Sequence, residues 1–175
     1  LDLSILPGTK PGVLHFIFSG KTGQIKMDYM LKQRIGGNGI SRIKGVTSKD
    51  LIYLLMPDRF SNGDPSNDVV AGLNDQHMDR NDPFSRHGGD LKGVSDHLNY
   101  LYDLGVTAIW MTPVIENNMP LMNEWGHMVA GYHGYWFTDH YKVDKRLGGN
   151  EAYAQLVKDA HQKGLKIVQD AAVSY

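Results

Sequence analysis

A glycine followed directly by an apolar run occurs at Gly105-Val106-Thr107-Ala108-Ile109-Trp110-Met111-Thr112-Pro113. Residues 94–104, just before it, carry apolar side chains at helical spacing, so Gly105 is predicted to end a helix. An uncharged run that is closed by Thr112-Pro113 is typical of a strand buried on both faces. A helix, a one-glycine turn and a buried strand in this order indicate a parallel α/β sheet.

Two similar apolar runs flank this stretch, at residues 51–56 and 165–173. A second helical stretch precedes the last run, with Asn150 as its predicted cap and Gly164 at its end. For the first helix we predict a start near Ser95 or Asp96. The resulting β-α-β-α-β order implies a parallel sheet with right-handed crossovers.

The amino-terminal part of the chain has a different character. Strand-like runs at residues 13–18 and 24–31 flank a turn at residues 19–23, which predicts a hairpin. Gly36-Gly37-Asn38-Gly39 is predicted to be a linker. The chain is therefore predicted to contain two parts, residues 1–46 from a β domain and residues 47–175 from an α/β domain.

The connections after the strands are much longer than those after the helices. Each helix is followed by about one glycine, whereas roughly 35 residues follow each of the first two strands, far beyond the usual loop length. Parallel α/β sheets and barrels build their sites at the carboxyl ends of strands. A dinucleotide-binding unit needs a short glycine-rich turn after its first strand, and Pro57-Asp58-Arg59-Phe60 does not provide one.

Composition excludes several classes of partner and site. Eighteen basic and nineteen acidic residues give a net charge of −1 with no basic face, so we expect neither nucleic acid nor a membrane as partner. The chain has no cysteine, which excludes disulfides and thiolate metal sites. Six of its histidines lie between His77 and His140, but none forms a zinc-type pair beside a glutamate.

The first loop opens with a dense run of carboxylates and amides, residues 58–68. Such oxygens suit a hard cation such as Ca²⁺, although the same residue types also form solvated turns for backbone reasons alone. An EF-hand is excluded, because Leu73 occupies the twelfth position counted from Asn62.

The second loop is rich in aromatic residues, including Trp125, Tyr132, Tyr135, Trp136 and Phe137. Aromatic rings offer flat apolar faces with polar edges, which suits the apolar face of a sugar ring. The alternative is a buried aromatic cluster that only stabilises a long loop.

Together these segments resemble the α-amylase superfamily, glycoside hydrolase family 13, and within it the neopullulanase and cyclomaltodextrinase group. The resemblance covers about residues 50–175. The matching motifs stand in family order: Met56-Pro57-Asp58-Arg59-Phe60; Asn62-Gly63-Asp64-Pro65-Ser66-Asn67-Asp68; His87-Gly88-Gly89-Asp90-Leu91-Lys92-Gly93; residues 104–113; and Tyr132-His133-Gly134-Tyr135-Trp136 followed by Thr138-Asp139 and Tyr141-Lys142-Val143-Asp144.

The resemblance implies a fold and a set of site residues. The fold would be α/β, the first three strands of a (β/α)8 barrel, with residues 1–46 similar to the last strands of an immunoglobulin-like β-sandwich domain. The implied ligands of a structural Ca²⁺ are Asn62, Asp64, Asn67, Asp68, the backbone oxygen of Gly88, and Asp90. The implied sugar-binding residues are Tyr135 under the sugar whose bond is cut, His133 nearby, and Asp170 at the end of the third strand.

The resemblance also implies an activity, the retaining hydrolysis of α-1,4-glucosidic bonds in maltodextrins, pullulan or cyclodextrins. The family's Asp nucleophile, Glu acid/base and stabilising Asp lie on strands four, five and seven, beyond residue 175. No catalytic residue is therefore predicted in this chain, and the chain alone is expected to be inactive. Relatives of this group often dimerise through the amino-terminal domain, which implies a homodimer for the full-length protein. The family also favours a periplasmic or extracellular location, and no signal peptide stands in this chain.

Two positions depart from the family pattern. Where an Asn and a His follow the third-strand aspartate in the family, this chain has Ser174 and Tyr175. The change at Tyr175 motivates a second hypothesis, a calcium-stabilised barrel that binds glucan or serves a structural role without catalysis.

Overall fold

The computed structural model describes residues 3–36 and 45–172, and the chain divides into two units, Leu1–Gly45 and Val46–Tyr175. In the first unit, strands β1 (Gly12–Gly20) and β2 (Gly23–Leu31) form an antiparallel hairpin in which Gly12 pairs with Leu31 and Gly20 with Gly23. This confirms the two predicted strands, with a tighter turn than expected. Linker residues 37–39 lie outside the described residues, and the immunoglobulin-like character of the hairpin stays a prediction.

The second unit alternates strands with helices. In chain order its elements are β3 (Ile52–Leu55), α1 (Pro57–Phe60), α2 (Leu91–Asp96), α3 (Leu98–Asp103), β4 (Ala108–Met111), β5 (Ile115–Glu116), β6 (Met122–Glu124), β7 (His127–Val129), β8 (Asp139–Val143), α4 (Gly149–Gln162) and β9 (Lys166–Gln169), with 3₁₀ helices at Pro65–Asn67 and Lys145–Leu147.

The predicted parallel sheet is confirmed. Strand β4 lies between β3 and β9, and both pairings are parallel, with Ala108 opposite Ile52 on one side and Lys166 on the other. In the described residues these three strands form an open sheet, and no barrel closes. Because the strands are parallel, their carboxyl ends share one edge, and the two long loops leave from that edge.

The hydrophobic core lies between the sheet and its helices. Its fully buried side chains come from both, and they include Val94, Leu98, Leu101, Ile109, Met111, Leu156 and Leu165. The burial of each large aliphatic side chain stabilises the fold by about 1.5–3 kcal/mol. The apolar positions that predicted the helices and strands therefore supply the core that holds the loop-bearing edge in place.

Both predicted helix starts were wrong, and one side-chain contact explains each error. Helix α2 begins at Leu91, because the carboxylate of Asp90 caps it by accepting a hydrogen bond from the Gly93 amide at 2.6 Å. Helix α4, which corresponds to the second predicted helix, has Gly148 as its cap residue, and Asn150 lies in its first turn. The Asn150 side chain instead accepts from the backbone of Val143 at 2.8 Å, which fastens the helix to β8.

The predicted helix ends were right. Gly105 and Gly164 follow the helices in the left-handed conformation. The second long loop is more ordered than expected, since it contains the hairpin β6–β7 and the antiparallel pair β5–β8. Within residues 3–36 and 45–172, no helix has the length and apolar character needed to cross a membrane.

Candidate functional site

The first loop, residues 56–90, closes around the carboxylate of Asp90. This side chain is fully buried and accepts from the backbone amides of Gly63 at 3.1 Å, Asp64 at 2.8 Å and Gly93. It also accepts from the Asn67 side chain at 3.2 Å. One buried carboxylate thus joins the start of the loop to the start of α2, about 25 residues later.

Two amide oxygens of this loop have no partner. The side-chain oxygens of Asn62 and Asn67 are buried and make no hydrogen bond, while their nitrogens donate to Asp68 and Asp90. Buried polar atoms without partners are uncommon and call for an explanation such as a bound ion. A calcium ion, which coordinates carboxylate, amide and backbone oxygens, would satisfy both.

Gly88 lies against the same group of oxygens. It has a φ of +78°, and a Cβ atom there would overlap Oδ1 of Asp68 and crowd the Asn62 side chain. Only glycine fits this position, which brings its backbone next to the two side chains. The structure therefore brings Asn62, Asn67, Asp68, Gly88 and Asp90, five of the six predicted ligands, close together.

Asp64 is the weakest member of that set. Its side chain caps the 3₁₀ helix and accepts from the amide of Ser66 at 3.1 Å and from its hydroxyl at 2.6 Å, which lowers the pKa of Asp64.

Partial burial, with added repulsion from Asp90 and Asp64, raises the pKa of Asp68 despite its hydrogen bond from Asn62. Among the described residues, no three His, Cys, Asp or Glu side chains form a metal-holding group by themselves. The candidate site therefore combines carboxylates with amide and backbone oxygens.

Arg59 links the first loop to the second, residues 112–147. Its guanidinium lies 3.8 Å from the ring centroid of Tyr132, pairs with Asp58 and donates to the Pro83 carbonyl at 2.9 Å. Burial raises the pKa of Asp58, although its carboxylate accepts from the backbone amide of His87 at 3.0 Å. The sequence predicts no role for Arg59, although the adjacent Asp58 and the aromatic residues of the second loop are its contacts.

The predicted sugar-binding residues come together at the carboxyl edge of the sheet. The hydroxyl of Tyr135 donates to Oδ2 of Asp170 at 2.8 Å, and the rings of His133 and Tyr135 stack with centroids 5.9 Å apart. Trp110, on the neighbouring strand β4, donates its indole N–H to the same oxygen at 3.3 Å. The sequence predicts Trp110 only as a residue of a buried strand, because its partner Asp170 lies 60 residues away.

His133 is held as a neutral acceptor. Its Nδ1 accepts from the backbone amide of Tyr135 at 3.0 Å, so a proton on Nδ1 would remove that bond. Burial lowers the pKa of His133. The negative charge of Glu124 acts in the opposite direction, and the positive charge of Arg86 lowers the pKa further. Between the two aromatic residues, Gly134 has a φ of +86° and packs so closely on the Pro113 carbonyl that a side chain would overlap it. The aromatic turn is therefore seated directly on the end of β4.

A buried ionic network fixes the base of the second loop. Arg146 pairs with Asp144 at 2.9 Å and reaches Asp75 at 3.9 Å, and Arg86 pairs with Asp75 at 2.9 Å. Burial opposes ionisation of Asp144, but the hydrogen bonds and charge of Arg146 outweigh it and lower the pKa of Asp144. Asn117 adjoins the group: its backbone carbonyl accepts from Arg146, and its side-chain nitrogen donates to the Gly131 carbonyl at 2.6 Å. Its side-chain oxygen is buried and makes no hydrogen bond in the described structure.

Ser174 and Tyr175, where the sequence departs from the family pattern, lie outside the described residues. The structure therefore gives no account of that departure.

Comparison with known proteins places these features in a family. The family model for the alpha-amylase catalytic domain matches residues 54–174. The chain is 41% identical over 128 residues to a beta/alpha-amylase of Paenibacillus polymyxa, covering 73% of this chain and 10% of the relative. It is 38% identical over 128 residues to neopullulanase 2 of Thermoactinomyces vulgaris, covering 71% of this chain and 19% of the relative.

Solved structures agree. The chain matches a cyclomaltodextrin glucanotransferase of three-domain ABC distribution with a TM-score of 0.64 at 40% identity, covering 70% of this chain and 25% of that one. It also matches an alpha-amylase of Geobacillus thermoleovorans complexed with acarbose, with a TM-score of 0.53 at 39% identity. This match covers 69% of this chain and 22% of that one. The chain thus spans between a tenth and a fifth of the length of these curated relatives. The order of the motifs, the parallel sheet and these matches together show that the chain belongs to the alpha-amylase catalytic-domain family.

Proposed function

We propose that this chain forms the first part of the barrel of an enzyme that acts on α-glucans, of the neopullulanase or cyclomaltodextrinase type. The observation that carries the proposal is the contact between Tyr135 and Asp170, with the His133 ring stacked beside it. Relatives named as amylase, neopullulanase and cyclomaltodextrin glucanotransferase support the same class of substrate.

In this proposal the three residues bind and orient one glucose unit. The ring of Tyr135 offers an apolar face to the sugar, and its hydroxyl is held in place by Asp170. Asp170 keeps its other carboxylate oxygen for a sugar hydroxyl, while neutral His133 offers its Nε2–H as a donor. Two carboxyl groups about 5 Å apart on later strands would perform the retaining cleavage.

We also propose that the first loop holds a structural Ca²⁺. Asn62, Asn67, Asp68, the Gly88 carbonyl and Asp90 would hold the ion, with Asp64 as a peripheral ligand. The support is the pair of unpartnered buried amide oxygens beside two carboxylates. The ion would compensate the negative charges of the loop, and its binding free energy would offset the entropy cost of ordering a long segment.

The activity is tested on the full-length protein that contains this chain. We expect reducing sugar to be released from cyclodextrin and from pullulan, and binding of maltoheptaose in calorimetry. Binding without release would leave the non-catalytic glucan-binding barrel as the function. A folded protein that neither binds nor cleaves these glucans would contradict both hypotheses.

The calcium site has its own test, melting of the full-length protein after chelation and after calcium is restored. We expect restored calcium at a hundredfold excess over its Kd to stabilise the protein by about 2.7 kcal/mol. Asn67→Ala should abolish most of that gain, because it removes one of the unpartnered oxygens. Asn81→Ala, at an exposed position of the same loop, is the matched control. Equal calcium responses in the wild type and in Asn67→Ala would refute the ligand assignment.

A further inference from the structure

The hairpin β6–β7 in the second loop presents a tryptophan to solvent in a strained conformation. Trp125 is 98% exposed and has a φ of +50°, the only non-glycine residue with a positive φ among the described residues. With Gly126, it forms the two-residue turn between Glu124 and His127. Such turns favour Asn-Gly or Asp-Gly, since a bulky side chain is disfavoured at positive φ.

The hairpin holds this residue firmly. Its strands pair from Met122–Val129 to Glu124–His127, and the Asn123 side chain accepts from the Gly126 amide at 3.1 Å. The His127 ring stacks on Phe84 of the first loop with centroids 4.2 Å apart. The backbone of Ala130, just after the hairpin, donates to Phe84 at 2.8 Å. Trp125 is therefore the tip of an anchored hairpin, and its strain is imposed by structure on both sides.

The hairpin also borders the candidate sugar site. A cavity of about 360 Å³ is lined by Met119, Met122, Tyr135, Trp136 and Phe137. The groove is lined both by Tyr135, which contacts Asp170, and by Met122 on β6. Trp125 stands three residues beyond Met122, roughly 10 Å along the strand. The groove therefore includes a residue of the hairpin whose turn carries Trp125.

We propose that Trp125 is an outer stacking platform for an α-glucan chain whose inner end lies on Tyr135. This inference rests on the proposed function, and it adds a requirement for chain length. A ligand that ends at Tyr135 does not reach Trp125, whereas a longer oligosaccharide follows the apolar groove and places a glucose ring on the indole. The exposed indole, the anchored hairpin and the presence of Met122 of the same hairpin in the groove favour a sugar over a protein partner.

The test compares two variants of the full-length protein by calorimetry with maltoheptaose and maltotriose. Trp125→Asn creates an Asn-Gly turn, which the backbone prefers, so we expect thermal stability to be equal or higher. Its affinity for maltoheptaose should fall about 3- to 10-fold, with little change for maltotriose, because only the outer stacking contact is lost. Tyr141→Ala is the control, since Tyr141 is 94% exposed on β8 and does not line the groove.

The outcomes separate this inference from the proposed function. If the wild type binds no α-glucan, the proposed function fails and this inference falls with it. If the wild type binds both sugars and Trp125→Asn binds them equally well, only the platform is overturned. A shift in oligomeric state with unchanged glucan affinity would assign Trp125 to a contact between protein copies and would also overturn it.

Discussion

The two long loops leave the same edge of the sheet, yet they are organised in opposite ways. The first loop turns inward on the buried carboxylate of Asp90, which accepts four hydrogen bonds and leaves two amide oxygens unpartnered beside it. The second loop is fastened at its base by Asp144 and Arg146, and its aromatic rings range from half-buried, as at Tyr135, to almost fully exposed, as at Trp125. Polar groups that converge inward suit an ion, and aromatic rings held at the surface suit a sugar.

The largest expected effect comes from breaking the base of the second loop. Arg146→Met removes the cation from a buried network and leaves Asp144 and Asp75 without its charge. We expect the full-length protein to lose about 3–5 kcal/mol of unfolding free energy in urea. The control is Lys145→Met at the neighbouring position. Because the Lys145 side chain is exposed, its replacement should change the unfolding free energy by less than about 0.5 kcal/mol. Similar losses in both variants would show that the network does not stabilise the loop.

A smaller effect should follow from changing the sugar-binding end of the same loop. Tyr135→Phe keeps the ring and removes the hydroxyl that donates to Asp170. Because a hydrogen bond to a charged group contributes about 1.5–3 kcal/mol, we expect kcat/KM on maltoheptaose to fall by roughly 10- to 100-fold. Melting temperature and calcium response should stay close to wild type. Tyr141→Phe serves as the control, and a loss of activity there of equal size would contradict the assignment.

The smallest expected effect is a dependence of stability on pH. The pKa of His133 is lowered in the folded state, so below pH 6.5 the unfolded chain takes up the proton more readily than the native protein does. The stability contributed by neutral His133 is therefore complete above pH 6.5 and is lost as the pH falls through the lowered pKa. His133→Asn keeps an acceptor for the Tyr135 amide and removes this titration.

Urea unfolding of both proteins at pH 7.5 and pH 5.5 measures that difference. The wild type should lose more unfolding free energy on acidification than His133→Asn does. The reverse order would show that His133 is not held as a neutral acceptor.

Much of the fold was predictable because strands and helices depend on local patterns. Apolar runs placed the three parallel strands within a few residues, and Gly105 and Gly164 marked the helix ends. The helix starts were misplaced because Asp90 and Asn150 use their side chains in contacts with other segments. The Asp90 carboxylate caps its own helix and also accepts hydrogen bonds from amides more than 25 residues away. The local sequence does not distinguish such a carboxylate from one that only caps a helix.

The candidate site was predictable in part. Family motifs indicated Tyr135, His133 and Asp170, and the structure brings them into contact. Trp110 and Arg59 were missed because their partners, Asp170 and Tyr132, lie about 60 and 73 residues away in the chain. The hairpin at Met122–Val129 was also missed, since its Trp-Gly turn is an unusual one and its strands have three residues each.

The sequence by itself determined that the chain is an α/β segment with its chemistry at the carboxyl ends of strands, because hydrophobic periodicity and glycine stops are local properties. It also supplied the residue types for an ion site and an aromatic surface. Only the tertiary structure decided which of them meet: the closure of the first loop on Asp90, the pairing of Asp144 with Arg146, and the shared groove of Tyr135 and Met122. Those contacts join residues far apart in the chain, and their free energy depends on burial and distance, which no local pattern encodes.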